Sequence, residues 1–333
     1  MNELEEVIAA CLRMGLIEAD ERPTMVPLSG GVSSLIVRVN TARGPMCIKR
    51  ALPRLKVASE WFAPVDRNSA EVAWLRLVAG IAPDFVPRIL GEDRLGRTFA
   101  MAYLDPDGYP VWKEQLRDGI VQPSTARAVA NKLVRVHAET ARREDMSKAF
   151  ANDATFLAIR LEPYFGATAA AHPDLASVLH RLIETTSQTR LAVVHGDVSP
   201  KNILVGPRGP LLLDAECAWY GDPAFDVAFC VTHLMLKCLW RPALASEYLS
   251  CIADFSSAYL AALDWEPSAE LEARACRLLA GMLLARVDGK SPVEYLVDHG
   301  DREHVRRFAR RFLLEPASRL DAMRAAWAIE IQQ

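Results

Sequence analysis

Three oxygen-bearing side chains at fixed spacing carry the chemistry this chain could perform. Asp197, Asn202 and Asp214 stand five and then twelve residues apart. The first two lie in His195-Gly196-Asp197-Val198-Ser199-Pro200-Lys201-Asn202, and the third in Leu211-Leu212-Leu213-Asp214-Ala215-Glu216. Between them run Ile-Leu-Val, then Gly-Pro-Arg-Gly-Pro, then Leu-Leu-Leu, which reads as strand, turn and strand. A hairpin returns its two ends to the same place, so Asn202 and Asp214 should emerge side by side, with Asp197 on the loop before them. That oxygen set suits a hard cation such as Mg²⁺, whose remaining positions substrate phosphates can fill.

The same order occurs in kinase catalytic sites, where one Asp accepts the attacking hydroxyl's proton while an Asn and a further Asp hold metal. Here His-Gly-Asp replaces His-Arg-Asp, and Ala-Glu follows the metal Asp in place of Phe-Gly. With those substitutions the stretch resembles the aminoglycoside phosphotransferase and choline kinase superfamily, the small-molecule relatives of protein kinases. The resemblance implies an α+β, two-lobed protein-kinase-like fold, with a small antiparallel-sheet lobe over residues 1–102 and a larger, mainly helical lobe over 103–333. It implies Asp197 as the base that also orients the acceptor hydroxyl, Asn202 and Asp214 as metal ligands, and His195 as a structural support of the loop. Asp226 matches an Asp that braces that loop by accepting backbone hydrogen bonds. It also reads as a negative charge at a helix N-terminus, and both can hold.

Upstream elements must position a nucleotide. Val26 to Val39 gives two β-prone segments around Ser29-Gly30-Gly31, followed by Met46-Cys47-Ile48-Lys49. A glycine-containing turn can lay backbone N–H groups against phosphates, although read alone such a turn is most often a plain hairpin. Lys49, an isolated cation ending an apolar strand, strengthens the phosphate reading. In kinases such a lysine is held by a Glu on the following helix. Asp66 to Ser69 supplies caps for a helix over Ala70–Ala79, which places Glu71 in its first turn; Glu60 is the competitor. Val86–Leu90 and Arg97–Leu104 read as strands closing the sheet, and main-chain groups from Ala102 to Leu104 are expected to hold adenine. The run from Lys49 to Arg67, with Ala51-Leu52-Pro53, Arg54, Lys56, Trp61 and Asp66-Arg67, resembles 5-methylthioribose kinases more specifically. Those enzymes carry Asp-x-Glu at the metal strand, which makes Glu216 a candidate further ligand. They also bind sugar through paired arginines at a place where this chain has Ala285 and Arg286. Arg286 is equally readable as a helix-end Arg paired with Asp288.

The composition excludes other classes. Of 333 residues 51% are hydrophobic and 24% charged, with a net charge of −3. There is no basic run of nucleic-acid type, and the acidic amphipathic start over residues 2–15 is not a leader peptide. The sequence shows no apolar stretch of membrane-spanning length. Seven scattered cysteines without a CxxC pair suit reduced core thiols and a cytoplasmic protein. The chain beyond Asp105 reads as helices, with His137 a core histidine, His172 a solvated turn residue, and Arg306, Arg307, Arg310 and Arg311 a solvated face. The short span from Asp214 to Asp226 leaves no room for a peptide-docking segment, so a protein substrate is not expected. The resulting expectation is an ATP- and Mg²⁺-dependent phosphotransferase acting on a hydroxyl of a small sugar, polyol or amino alcohol, a methylthioribose-like sugar being favoured. An aminoglycoside phosphotransferase and a regulatory nucleotide-binding pseudokinase are the alternatives.

Overall fold

The computed structural model describes residues 3–28, 34–52 and 67–332. Ser29, Gly30 and Gly31, like Pro53, Arg54, Lys56, Glu60, Trp61 and Asp66, lie outside the described residues.

An amphipathic helix, α1 (Glu3–Arg13), precedes β1 (Thr24–Pro27), β2 (Ser34–Thr41) and β3 (Gly44–Ala51). Helix α2 (Arg67–Ile81) then crosses to β4 (Ile89–Asp93) and β5 (Thr98–Ala102). The five strands form one antiparallel sheet in the order β1-β2-β3-β5-β4. Side chains alternate across a strand, and that period sorts the sheet into two covered faces. Val37, Val39, Met46, Ile48 and Ala100 pack with Val7 and Cys11 of α1. The other face presents Cys47, Phe99 and Met101 to Val72, Trp74, Leu75 and Val78 of α2. Lys49 follows Cys47 by two, so the strand period delivers its ammonium to the α2 face. The expected strand over Val86–Leu90 starts later, at Ile89. A helical turn at Pro83–Phe85 and the missing N–H of Pro87 occupy the preceding residues.

The remainder is mainly helical. It comprises α3 (Trp112–Arg117), α4 (Pro123–Thr140), α5 (Glu144–Ala149), α6 (Asp153–Phe156), α7 (Ala167–Ala171) and α8 (Ala176–Gln188). A ten-residue π-helical stretch, Leu157–Gly166, joins α6 to α7. Short antiparallel pairs follow: β6 (Ala192–Val194) with β9 (Trp219–Gly221), and β7 (Ile203–Gly206) with β8 (Gly209–Leu212). Helices α9 (Pro223–Trp240), α10 (Ala245–Ala261), α11 (Ser268–Asp288), α12 (His299–Leu314) and α13 (Leu320–Glu330) complete the chain. One apolar core runs from α2 through these helices. Contrary to the expectation that no stretch reaches membrane-spanning length, α9 is long and apolar enough to do so. It lies 94% buried inside that core.

The cysteines are free and buried, as their scatter implied. One expectation fails and another is incomplete. His172 is not solvated: its Nε2 lies 2.8 Å from Asp288, and Arg310 approaches its other ring nitrogen. The arginines of α12 are in part the solvated face expected, with Arg307 and Arg311 exposed and Arg306 paired with the local acid Glu303, but three of them also reach acids on other elements. Arg306 binds Asp288, Arg307 binds Glu330 and Arg310 binds Asp174. Sequence spacing shows which residues share a helix face; it does not show what stands opposite.

Candidate active site

The β7–β8 hairpin registers Ile203 against Leu212, which places Asn202 just before one strand and Asp214 just after the other. The Leu213 N–H donates to the Asn202 carbonyl at 2.8 Å, closing the hairpin mouth between the two site residues. Asp214 has φ +69°, in the left-handed region where a non-glycine residue is uncommon. Its side chain is 29% exposed, so a carboxylate oxygen faces the cleft.

Lys49 is buried between two acids. Its ammonium lies 2.7 Å from Glu71 on α2 and forms a very short ion pair with Asp214. Burial alone would lower the lysine, but Asp214, Glu71 and Glu216 raise it overall and keep it charged. Burial would also raise Asp214, yet Lys49 and Lys201 hold its carboxyl well below the usual range. Glu71 is pushed up by burial, with Lys49 opposing. A second tie joins the same elements, because Arg67 at the start of α2 donates to Glu216 at 3.0 Å and to the Leu52 carbonyl at 2.6 Å. Helix α2 is therefore fastened at two points to the segment that follows β8, through Lys49 to Asp214 and directly to Glu216. The sequence marked Arg67 only as part of a resembling run and did not reveal its partner.

Asp197 is 4% exposed and held from several sides. Arg160, from the π-helical stretch, donates to its Oδ2 at 2.9 Å and to the Gly196 carbonyl at 2.6 Å. Lys201 stands 3.3 Å from Oδ2, Ser199 donates to Oδ1 at 3.2 Å, and Asn202 Nδ2 donates to the Asp197 carbonyl at 3.1 Å. Burial would raise this carboxyl; Lys201 and Arg160 outweigh it and keep the group ionised. Since Asn202 spends its NH₂ on that carbonyl, its amide oxygen remains for a cation. An amide oxygen and a carboxylate, next to a second carboxylate and a phosphate-compatible lysine, fit Mg²⁺ with a nucleotide. Glu216 lies in the turn just after Asp214 but is already paired with Arg67.

A buried acid organises the loop from behind. Asp226 accepts the N–H groups of His195 and Gly196, both at 2.7 Å, and His137 Nε2 lies 3.3 Å away. His137 is thus more than the core histidine expected from sequence. Its Nδ1 meets the Tyr259 hydroxyl at 2.6 Å, so it links α10 to the acid under the loop. His195 accepts the Asp197 N–H on Nδ1 at 3.1 Å and donates from Nε2 to the Leu213 carbonyl at 3.0 Å. Burial pushes the imidazole down, which suits this neutral bridging form. Between them Gly196 adopts φ +77°. A Cβ there would stand 2.9 Å from Cys217 Sγ and 3.0 Å from Phe156. Gly196→Ala is therefore expected to lose about 2–3 kcal/mol, from left-handed strain plus displacement of both neighbours. Urea unfolding would read this as a lower midpoint at unchanged slope.

At the turn after β5, the Ala102 N–H donates to the Arg88 carbonyl at 2.8 Å, whereas the Leu104 N–H makes no such bond among the described residues. Of the main-chain donors expected to meet adenine, the one on Leu104 is uncommitted. A cavity of about 910 Å³ opens beside this turn, lined by Leu75, Val86, Ala102, Leu104, Tyr109 and Leu211. None of Lys49, Asp197, Asn202 and Asp214 lines it, so it is separate from the cluster around Asp197 and Asp214. Arg286, the remaining candidate, does not pair with Asp288, which Arg306 and His172 occupy. It bonds instead to Ser291 and to the Tyr164 hydroxyl, at 3.3 Å.

A sequence profile of the Phosphotransferase enzyme family matches residues 24–266. Among curated proteins, the chain is 23% identical over 241 residues to Methylthioribose kinase 1 of Oryza sativa subsp. japonica. That alignment covers 64% of this chain and 56% of the rice protein. It is 25% identical over 273 residues to Methylthioribose kinase of Bacillus pumilus (strain SAFR-032), covering 72% of this chain and 68% of the relative. Among solved structures, an amicoumacin kinase in complex with AMP-PNP, Ca²⁺ and Ami superposes with a TM-score of 0.62. That superposition covers 96% of this chain and 95% of the other at 12% identity, a likeness of fold.

Proposed function

Because the chain belongs to the phosphotransferase enzyme family, we propose that it is a small-molecule kinase, in keeping with its methylthioribose kinase relatives, and that it moves the γ-phosphoryl group of ATP to a hydroxyl of a small sugar or polyol. The observation that carries the reading is Lys49 locked between Glu71 and Asp214. On the same hairpin Asn202 is bonded to the loop of Asp197. Phosphate-binding, metal-binding and base positions then converge on one cleft. The rice relative is only partly spanned, so its substrate is not carried over as a finding; a methylthioribose-like sugar is one candidate of this acceptor class.

In the proposed reaction the acceptor oxygen attacks the γ-phosphorus as its proton passes to Asp197. The oxygen–phosphorus bond forms, the bond to the β-phosphate oxygen breaks, and ADP leaves. Mg²⁺ held by Asn202 and Asp214, with Glu216 beside them, would neutralise charge on the phosphates. Phosphoryl transfer depends mainly on positioning and charge stabilisation, which is what the protein's own groups supply here. Lys49 meets the α- and β-phosphates, and the main chain at Leu104 meets adenine. Arg160 and Ser199 fix the direction of the Asp197 carboxylate. His195 and Asp226 hold the loop and move no proton. Arg286 lies on the acceptor side. The buried position of α9 and the free thiols suit an enzyme working in the cytoplasm.

The test is ADP release with ATP and Mg²⁺ over methylthioribose, pentoses, polyols, choline and aminoglycosides, each beside Asp197→Ala. Expected is turnover on one acceptor class, reduced at least a hundredfold by the substitution, the range for removing a general base. Turnover that survives the substitution would refute the assignment of Asp197. Nucleotide bound without turnover on any acceptor would favour a pseudokinase.

A further inference from the structure

The acceptor side of the cleft holds more positive charge than the chemistry above uses. Helix α9 presents Phe229, His233, Lys237 and Trp240 at successive turns, with all but Trp240 buried. Lys237 is 1% exposed, and no carboxylate lies within ion-pair reach of it among the described residues. Its ammonium stands 4.8 Å from the Trp240 ring and 4.9 Å from the Tyr295 ring. The nearby acid, Glu294, is already paired with Lys113 of α3, whose own ammonium lies 5.6 Å from Tyr295. On α11, buried Arg286 spends Nη1 on Ser291 and Tyr164, while its Nε is buried without a partner. The Tyr295 hydroxyl is likewise unpartnered.

These groups form one cluster. His233 lies in the combined field of Arg286, Lys237, Lys201 and Lys113, and burial together with those cations pushes its imidazole well down. Burial and Lys113 push Lys237 down to about 7. Lys201 connects the cluster to Asp197 at 3.3 Å. A buried ammonium facing other cations is costly unless something neutralises it. Stacked rings supply part of that compensation, but rings do not satisfy an orphaned guanidinium N–H and a phenol O–H in the same place. Donors without acceptors, gathered beside a catalytic carboxylate, describe the complement of an anion.

We propose that the phosphoryl acceptor carries an anionic group, a carboxylate or a phosphate, that docks on Lys237 and Arg286 while its hydroxyl meets Asp197. The inference rests on the kinase reading and replaces its neutral sugar or polyol with sugar acids, hydroxy acids or sugar phosphates. Cationic acceptors such as choline and aminoglycosides would meet repulsion there.

The test separates binding from turnover. Calorimetry in the presence of AMP-PNP and Mg²⁺ would compare gluconate with sorbitol, glycerate with glycerol, and ribose 5-phosphate with ribose, with choline as the cationic arm. Expected is an anion bound at least tenfold more tightly than its neutral twin. Lys237→Met should abolish that preference, with its fold checked by thermal melting; removing a buried charge in favour of an apolar chain should not unfold the protein. Whether the carboxylate or the phosphate pair shows the preference identifies the group. Equal binding of twins, preference for choline, absence of binding in every arm, or a preference that survives Lys237→Met would each overturn the proposal. ADP release measured in parallel judges the kinase reading by itself. Turnover on neutral acceptors that depends on Asp197 keeps that reading and removes the anion. Selective anion binding without ADP release does the reverse.

Discussion

Asp214→Asn is expected to lower kcat roughly a thousandfold while the protein stays folded. Asparagine tolerates the left-handed backbone that Asp214 adopts at φ +69°, so the hairpin mouth should keep its shape. What disappears is the negative charge that both faces the cleft and pairs with Lys49. Losing several kcal/mol of charge stabilisation in the transition state corresponds to about three decades of rate. Lys49 keeps Glu71 at 2.7 Å, so nucleotide affinity measured without Mg²⁺ should change far less than kcat. A variant that loses nucleotide binding and rate to the same degree would instead mean that Asp214 acts through Lys49 alone.

The same substitution should alter acid stability. Asp214 and Asp197 are both held below their ordinary values by neighbouring cations. The folded protein then binds fewer protons at these sites than the unfolded chain does. Their contribution is complete above about pH 4, the unfolded range. It is lost as pH falls through the lower folded values. Melting temperatures followed from pH 7 to pH 3 should therefore fall less steeply for Asp214→Asn than for the unaltered protein. An identical slope would show that the carboxylate is not held down in the folded state.

The parts of this site that sequence revealed are those fixed by local geometry. Asn202 and Asp214 meet because a hairpin has only one way to return, and Lys49 faces α2 because strand period decides the side. Long-range pairings left no such trace. Arg160 lies 37 positions before Asp197, on a π-helical stretch where a 3.6-residue period gives no warning of which way a side chain points. Arg67 and Glu216 are 149 positions apart, and nothing at either one names the other. Lys237 was hidden for a different reason. It interrupts an apolar helix once per several turns, which from sequence alone looks like a core helix with one snorkelling lysine. Only its tertiary neighbours reveal that the charge stays inside. His137 is the buried core histidine that sequence implied, but its partners stayed hidden for the same reason, because its acid is supplied by α9 and its hydroxyl by α10.

Asp226→Asn is the substitution expected to cost most in stability. It keeps shape and volume, so no cavity term enters, and what changes is hydrogen bonding alone. The carboxylate is fully buried and accepts two backbone N–H groups at 2.7 Å, with His137 Nε2 as a third neighbour. Since a carboxylate only accepts, Nε2 carries the proton there, and the Tyr259 hydroxyl donates to Nδ1. An amide has one acceptor oxygen, so whichever way it turns, its NH₂ faces a donor. One charge-assisted bond is lost, one buried N–H is orphaned beside another donor, and the surviving bonds become neutral. Charged hydrogen bonds contribute about 1.5–3 kcal/mol and an unsatisfied buried group costs about 1–3 kcal/mol. The total, roughly 3–5 kcal/mol, is a large fraction of the 5–15 kcal/mol typical of a folded domain. The urea midpoint should fall accordingly, and hydrogen exchange at His195 and Gly196 should accelerate more than exchange in the β1–β5 sheet. Because those two residues precede Asp197, kcat should drop even under conditions where the variant is fully folded. A stability loss below about 1 kcal/mol, with unchanged exchange at both amides, would mean that the loop is held by Arg160 and the hairpin instead of by the acid beneath it.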